Sequence, residues 1–102
     1  MQADELAELM TAGYPPIIID VRSAAEFRTG HIPGALHIPA WQILLWGARL
    51  PASKNIKLVV TCEHGHRAQL AKGLLSTLGY QYVTLLDGHM AEWKFSGRPL
   101  EK

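Results

Sequence analysis

Lys57-Leu58-Val59-Val60-Thr61-Cys62-Glu63-His64-Gly65-His66-Arg67 decides how this chain folds, because its character changes sharply at the cysteine. The residues before Cys62 are mostly apolar or β-branched and too few for a helix, the pattern of a short buried strand. Beyond Arg67, Leu70, Ala71, Leu74, Leu75 and Leu78 recur at helical spacing, and Gly79 stands where such a helix ends. The chain's only cysteine therefore lies in a strand-to-helix turn. Amide N–H groups at a helix start lack intrahelical partners and, with the positive end of the helix dipole, favour an anion. Arg67 adds a full positive charge nearby. Such surroundings favour thiolate over thiol, so Cys62 is expected to act as a nucleophile.

A lone cysteine is more often a small buried hydrophobe. Here its C-terminal neighbours are charged, polar or glycine, poor material for a core. Cys62, His64 and His66 alternate and are residue types that bind zinc. They crowd one short turn without a second cluster at a familiar spacing, and Arg67 repels a cation, so no metal is expected. His31, His37 and His89 share no spacing that suggests a site, and each is read as a structural or surface histidine.

Working outward, Ala3 to Ala12 reads as an amphipathic helix, with Leu6, Leu9 and Met10 on one face and Asp4, Glu5 and Glu8 in its first turns; Gly13 closes it. Ile17 to Val21 is an apolar strand interrupted by Asp20, as in a parallel strand covered on both faces. Ser23 caps a short helical turn through Phe27 that ends at Gly30. Ala35 to Ile38 is a second strand, Trp41 to Ala48 an unusually apolar helix, and Tyr82 to Leu86 a further strand before a turn at Asp87-Gly88 and a last helix through Trp93. Strands alternating with helices indicate an α/β domain around a mostly parallel sheet, where ligands sit beyond the carboxyl ends of the strands. Cys62 falls at such an end.

A chain of 102 residues with 48% hydrophobic content is expected to fold as one domain over residues 1–102. One cysteine makes no internal disulfide and suits a reducing compartment, so the cytoplasm is the expected location. A net charge of +1 without a run of Lys or Arg offers no electrostatic footprint for nucleic acid. No stretch approaches the roughly 20 apolar residues that span a bilayer, so no membrane is expected for this segment.

These residues are similar to the rhodanese family of sulfurtransferases along almost the whole chain. Asp20-Val21-Arg22 with Glu26-Phe27 and then Gly30-His31-Ile32-Pro33-Gly34-Ala35 resembles the family's N-terminal signature. Cys62 to Arg67 resembles its active-site loop, CxxGxR, and Leu86-Asp87-Gly88 with Trp93, Gly97 and Pro99 its C-terminal signature. The resemblance implies a rhodanese-like fold, a central mostly parallel sheet of four or five strands with helices on both faces. It also implies that sulfane sulfur passes from a small donor such as thiosulfate, through a persulfide on Cys62, to a thiophilic acceptor such as cyanide or a thiol, with no cofactor. Arg67 is then the electrostatic stabiliser, and the backbone of Glu63, His64, Gly65 and His66 cradles the substrate sulfur. A protein thiol or persulfide partner and a non-turnover carrier or protein-binding module are the alternatives. Cysteine phosphatases and arsenate reductases are less favoured, because the phosphatase branch with a rhodanese-like fold has a loop one residue longer.

Several positions depart from the family pattern. Members that favour thiosulfate often carry basic loop residues, whereas this loop has Glu63 and two histidines. Glu63 facing the mouth repels a dianionic donor, so Glu63→Arg is expected to raise thiosulfate activity, and histidine protonation in acid partly reverses the bias. His89 stands where the signature usually has a second glycine. The edge strand expected before the first helix is absent or reduced to Met1 and Gln2, as in a chain trimmed from a longer one. Arg22 and Glu26, four apart, are expected to pair on a helical turn. Trp41, Ile43, Leu44, Leu45 and Trp46 are read as core, with an apolar docking rim as the alternative.

Overall fold

A computed structural model describes residues 1–45 and 50–102 of the chain. Among them the elements run α1 (Ala3–Ala12), β1 (Ile17–Asp20), α2 (Ala24–Thr29), β2 (Leu36–His37), α3 (Ala40–Leu45), β3 (Lys57–Thr61), α4 (His66–Thr77), β4 (Tyr82–Leu85) and α5 (His89–Phe95). The described strands form one sheet in the order β2-β1-β3-β4, every pair parallel. Register places Asp20 opposite both His37 and Thr61, so the carboxyl ends of β1, β2 and β3 finish together, with Cys62 the next residue along.

Alternating strand residues feed two cores. Ile19, Leu58 and Val60 pack with Ile38, Ile43, Ala68, Ala71 and Leu75, bringing α3 and α4 onto one face. Ile18 and Val59 pack with Leu6, Met90 and Trp93, bringing α1 and α5 onto the other. This is why β1 and β3 read as nearly continuous apolar runs: both faces are covered.

Local signals set most boundaries. Gly13 closes α1 in the left-handed conformation at φ +85°. Ser23 begins α2 with a reciprocal capping box: its hydroxyl accepts the Glu26 N–H while the Glu26 carboxylate accepts the Ser23 N–H. Met1 lies along the end of β4, its ammonium donating to the Leu85 carbonyl over 2.8 Å and its own carbonyl accepting the Asp87 N–H over 2.9 Å.

Two expectations need correction. Arg22 and Glu26 do not pair, because Ser23 is the N-cap and Arg22 precedes the helix, outside the geometry that makes residues four apart neighbours. In the apolar α3 segment, Ile43 is buried, but Trp41, Leu44 and Leu45 are 55–59% exposed. A six-residue helix lying on the sheet covers one side only. The sequence expectation for residues 46–48 of that helix, Trp46 included, lies outside the described residues.

Candidate active site

The loop from Cys62 to Gly65 leaves β3, turns at Gly65 (φ +114°) and enters α4 at His66. Gly65 donates its N–H to Cys62 Sγ over 2.9 Å. A sulfur atom held at a helix start by a backbone donor is placed to carry negative charge. The polar neighbours do not keep Cys62 out of the core as the sequence suggests: it is only 1% exposed and belongs to the cluster of Ile19, Val60, Ala68 and Ala71, because it directly continues the buried strand β3. His64 and His66 are exposed, whereas Cys62 between the strand and the helix is buried.

The loop is tied to α5 from below. The unpaired N–H groups of that helix's first turn find partners here: Met90 donates to the Cys62 carbonyl over 2.9 Å and Ala91 to the Glu63 carbonyl over 3.1 Å. Between them sits His89, 8% exposed, whose Nδ1 accepts the Cys62 N–H over 3.3 Å. A β-carbon on Gly65 would stand 3.1 Å from His89 Nε2, closer than nearly all real contacts. Burial pushes His89 below its ordinary value of 6.5; nearby Asp87 opposes this, and His64 and the N-terminal ammonium add to it.

Beside the loop lie two linked ion-pair systems. Arg22, fully buried, clasps Asp20 through Nε (3.0 Å) and Nη2 (2.9 Å) and reaches Glu63 through Nη1 over 3.2 Å; Lys94 Nζ lies 3.5 Å from the same Glu63 oxygen. Burial disfavours the Arg22 cation, but the hydrogen bond and charge of Asp20, then Glu63, outweigh it and raise its pKa. Arg67 grips Glu26 with both nitrogens, at 2.5 and 2.9 Å. Hydrogen bonds from Arg67 chiefly hold the Glu26 carboxyl down to about 2, and those to Glu26 chiefly raise Arg67, with Cys62 contributing by its charge.

Glu63 is thus not a bare charge at the mouth but the partner of Arg22 and Lys94. Three acids and three bases stand around the loop, paired as Arg22 with Asp20 and Glu63, Lys94 with Glu63, and Arg67 with Glu26.

Two supports of the loop carry no local signal in the sequence: Arg22 meets Asp20 and Glu63 instead of Glu26, and Lys94 reaches Glu63 from another helix. His89, which stands where the signature has a glycine and is expected to be structural or at the surface, is buried and bonded to the Cys62 backbone. His31 and His37 do play the structural part expected of them, stacking on Phe27 with ring centroids 3.6 and 4.5 Å away.

The rhodanese-like domain family model matches residues 2–96. The chain is 35% identical to the thiosulfate sulfurtransferase GlpE of Stutzerimonas stutzeri over 78 residues, 76% of this chain and 70% of that protein. It is 27% identical to a sulfurtransferase of Allochromatium vinosum over 100 residues, covering 98% of this chain and 92% of that one. The crystal structure of a rhodanese-related protein from Thermoplasma volcanium superposes with a TM-score of 0.83 at 28% identity, covering 99% of this chain and 95% of that one. With sequence and backbone course agreeing over nearly its whole length, the chain belongs to the rhodanese-like domain family, and these named relatives include sulfurtransferases.

Proposed function

We propose that the chain is a thiosulfate sulfurtransferase that carries sulfur as a persulfide on Cys62. The observation that supports this most directly is the Gly65 N–H aimed at Cys62 Sγ over 2.9 Å, at the start of α4. In the first half-reaction the Cys62 thiolate attacks the outer sulfur of thiosulfate. A new S–S bond forms at Cys62, the donor S–S bond breaks, and sulfite leaves with its electron pair. In the second, cyanide or a thiolate attacks the terminal sulfur, the persulfide bond breaks, and Cys62 returns to thiolate as thiocyanate or a new persulfide departs. This is covalent catalysis with ping-pong kinetics.

Cys62 is the nucleophile, and the backbone from Glu63 to His66 cradles the transferred sulfur. Thiolate and persulfide carry the same charge, so one fixed set of donors serves both states without reorganising. Arg67 contributes its field from the Glu26 pair. The transferred sulfur is its own carrier, and no cofactor enters. A reducing compartment such as the cytoplasm suits an enzyme whose only cysteine stays unpaired.

A second reading is a persulfide carrier that exchanges sulfur with protein thiols and turns over small donors poorly; the 29% identity over 76 residues to a putative sulfur carrier protein of Bacillus subtilis supports it. Intact-mass measurement after thiosulfate treatment tests the shared chemistry. One added sulfur atom is expected, and none in Cys62→Ser; no added sulfur in the parent defeats the thiosulfate sulfurtransferase reading. Steady-state transfer from thiosulfate to cyanide then separates them, since stoichiometric loading without turnover leaves the carrier.

A further inference from the structure

Among the described residues, His89 is the only non-glycine residue with a positive φ, at +52°. Glycine holds that conformation freely, whereas a residue with a β-carbon is strained there and persists only where its surroundings hold it. What holds the ring is the Cys62 loop. Nδ1 lies 3.3 Å from the Cys62 nitrogen and 3.5 Å from Thr61 Oγ1. The Thr61 hydroxyl donates to the Cys62 carbonyl over 3.2 Å, which leaves the Cys62 N–H as the donor to the ring. A nitrogen that accepts carries no proton, so this contact requires a neutral imidazole protonated at Nε2. The Nε2 edge lies beneath Gly65, the residue whose own N–H reaches the sulfur. One ring therefore touches both the residue that bears the nucleophile and the residue that donates to it.

We propose that His89 is a positioning residue, a neutral imidazole that accepts the Cys62 N–H and supports Gly65 so that the loop amides face the sulfur, and that protonating it releases the loop. The inference rests on reading Cys62 as the sulfur-carrying nucleophile. Protonation turns both ring nitrogens into donors, and Nδ1–H then opposes the Cys62 N–H. The groups that bear on the ring are Cys62 and His64 from the loop, Asp87 from the turn before α5 and the Met1 ammonium beside β4. Asp87 favours the proton, while His64, the ammonium and burial disfavour it, so the neutral form prevails at neutral pH and is lost on acidification below 6.5.

Two measurements test this without requiring sulfur transfer. In the wild-type protein, nitrogen-15 NMR is expected to show Nδ1 unprotonated at pH 7.5, with the Cys62 amide resonance following the ring's titration. The second is alkylation of Cys62 by iodoacetamide in His89→Gly and His89→Asn. Glycine accepts the backbone angle but removes the acceptor, and alkylation is expected to slow about fivefold at pH 7.5, the scale of one lost hydrogen bond. Asparagine tolerates the left-handed backbone and offers a carbonyl acceptor that does not titrate. It is expected to restore most of the rate and to remove the extra loss that the wild type shows below pH 6.5. An Nδ1 that carries the proton at pH 7.5, a Cys62 amide indifferent to the titration, or a His89→Gly profile matching wild type overturns the proposal. Thiosulfate turnover, measured alongside, judges the sulfurtransferase reading separately.

Discussion

Gly65 is confined to glycine by two separate constraints. Its φ of +114° lies where side chains are strained, and an added β-carbon would meet the His89 ring at 3.1 and 3.2 Å. Gly65→Ala is expected to cost about 1–2 kcal/mol in a thermal or urea melt. Sulfur loading should fall further than that loss of stability accounts for, because relieving the contact moves the N–H away from Cys62 Sγ. An alanine variant with parental loading kinetics would show that this amide does not matter. Glu26 gives a second residue-scale prediction, one that concerns pH. Its carboxyl titrates near 2 in the folded chain against an ordinary 4.5, chiefly because Arg67 donates to it. The pair therefore stabilises the fold fully above pH 4.5, and that contribution drains away as pH falls through about 2. The pair is partly exposed, at 34% and 41%, so screening limits its contribution to about 1 kcal/mol. Glu26→Gln keeps the capping box, since glutamine serves equally at that position. Its melting temperature is expected to lie about 4–8 °C below the parent at pH 7, the gap closing as pH drops toward 2.

Elements were legible where the signal was local. The apolar spacing of Leu70 to Leu78 found α4, and Ser23 with Gly30 found α2, because period and capping are properties of a few adjacent residues. The α3 segment defeated the same reasoning. Ala40, Trp41, Ile43, Leu44 and Leu45 are apolar on every side, so nothing in the pattern says that only Ala40 and Ile43 meet the sheet. Arg22 failed for a related reason: its partners Asp20, Gly30 and Glu63 come from a strand end, a helix end and the Cys62 loop, a meeting that the sheet topology creates. Position in that network predicts the cost of breaking it. Asp20→Ala strips the buried carboxylate partner from a guanidinium with no exposed side-chain surface and is expected to cost about 3 kcal/mol in urea denaturation. Glu63→Gln leaves an acceptor for Arg22 at a position 24% exposed and should cost no more than about 1 kcal/mol. Equal losses would mean that burial does not set the balance.

Across the whole molecule, the sheet gathers charges that the sequence scatters. Asp20 and Arg22 from β1 and its end, Glu26 from α2, Glu63 from the Cys62 loop, Arg67 from α4 and Lys94 from α5 form linked pairs. Their charges cancel, and the chain as a whole carries only +1. On the proposed thiosulfate reading, a dianionic donor would then be held at short range by the loop rather than steered from afar by a cationic field. Between ionic strengths of about 0.01 and 0.15 M the screening length shrinks from about 30 to about 8 Å, which suppresses long-range steering and leaves contacts within the loop largely intact. The rate constant kcat/KM for thiosulfate is therefore expected to fall by less than about threefold over that range. Glu63→Gln removes one acid from the balance and should raise the low-salt rate and steepen its salt dependence. Glu63→Arg, expected from the sequence to raise thiosulfate activity, also sets a third cation beside Arg22 and Lys94 and should lose stability. A parental rate that drops tenfold or more with salt would place uncompensated positive charge at the mouth and refute the cancellation.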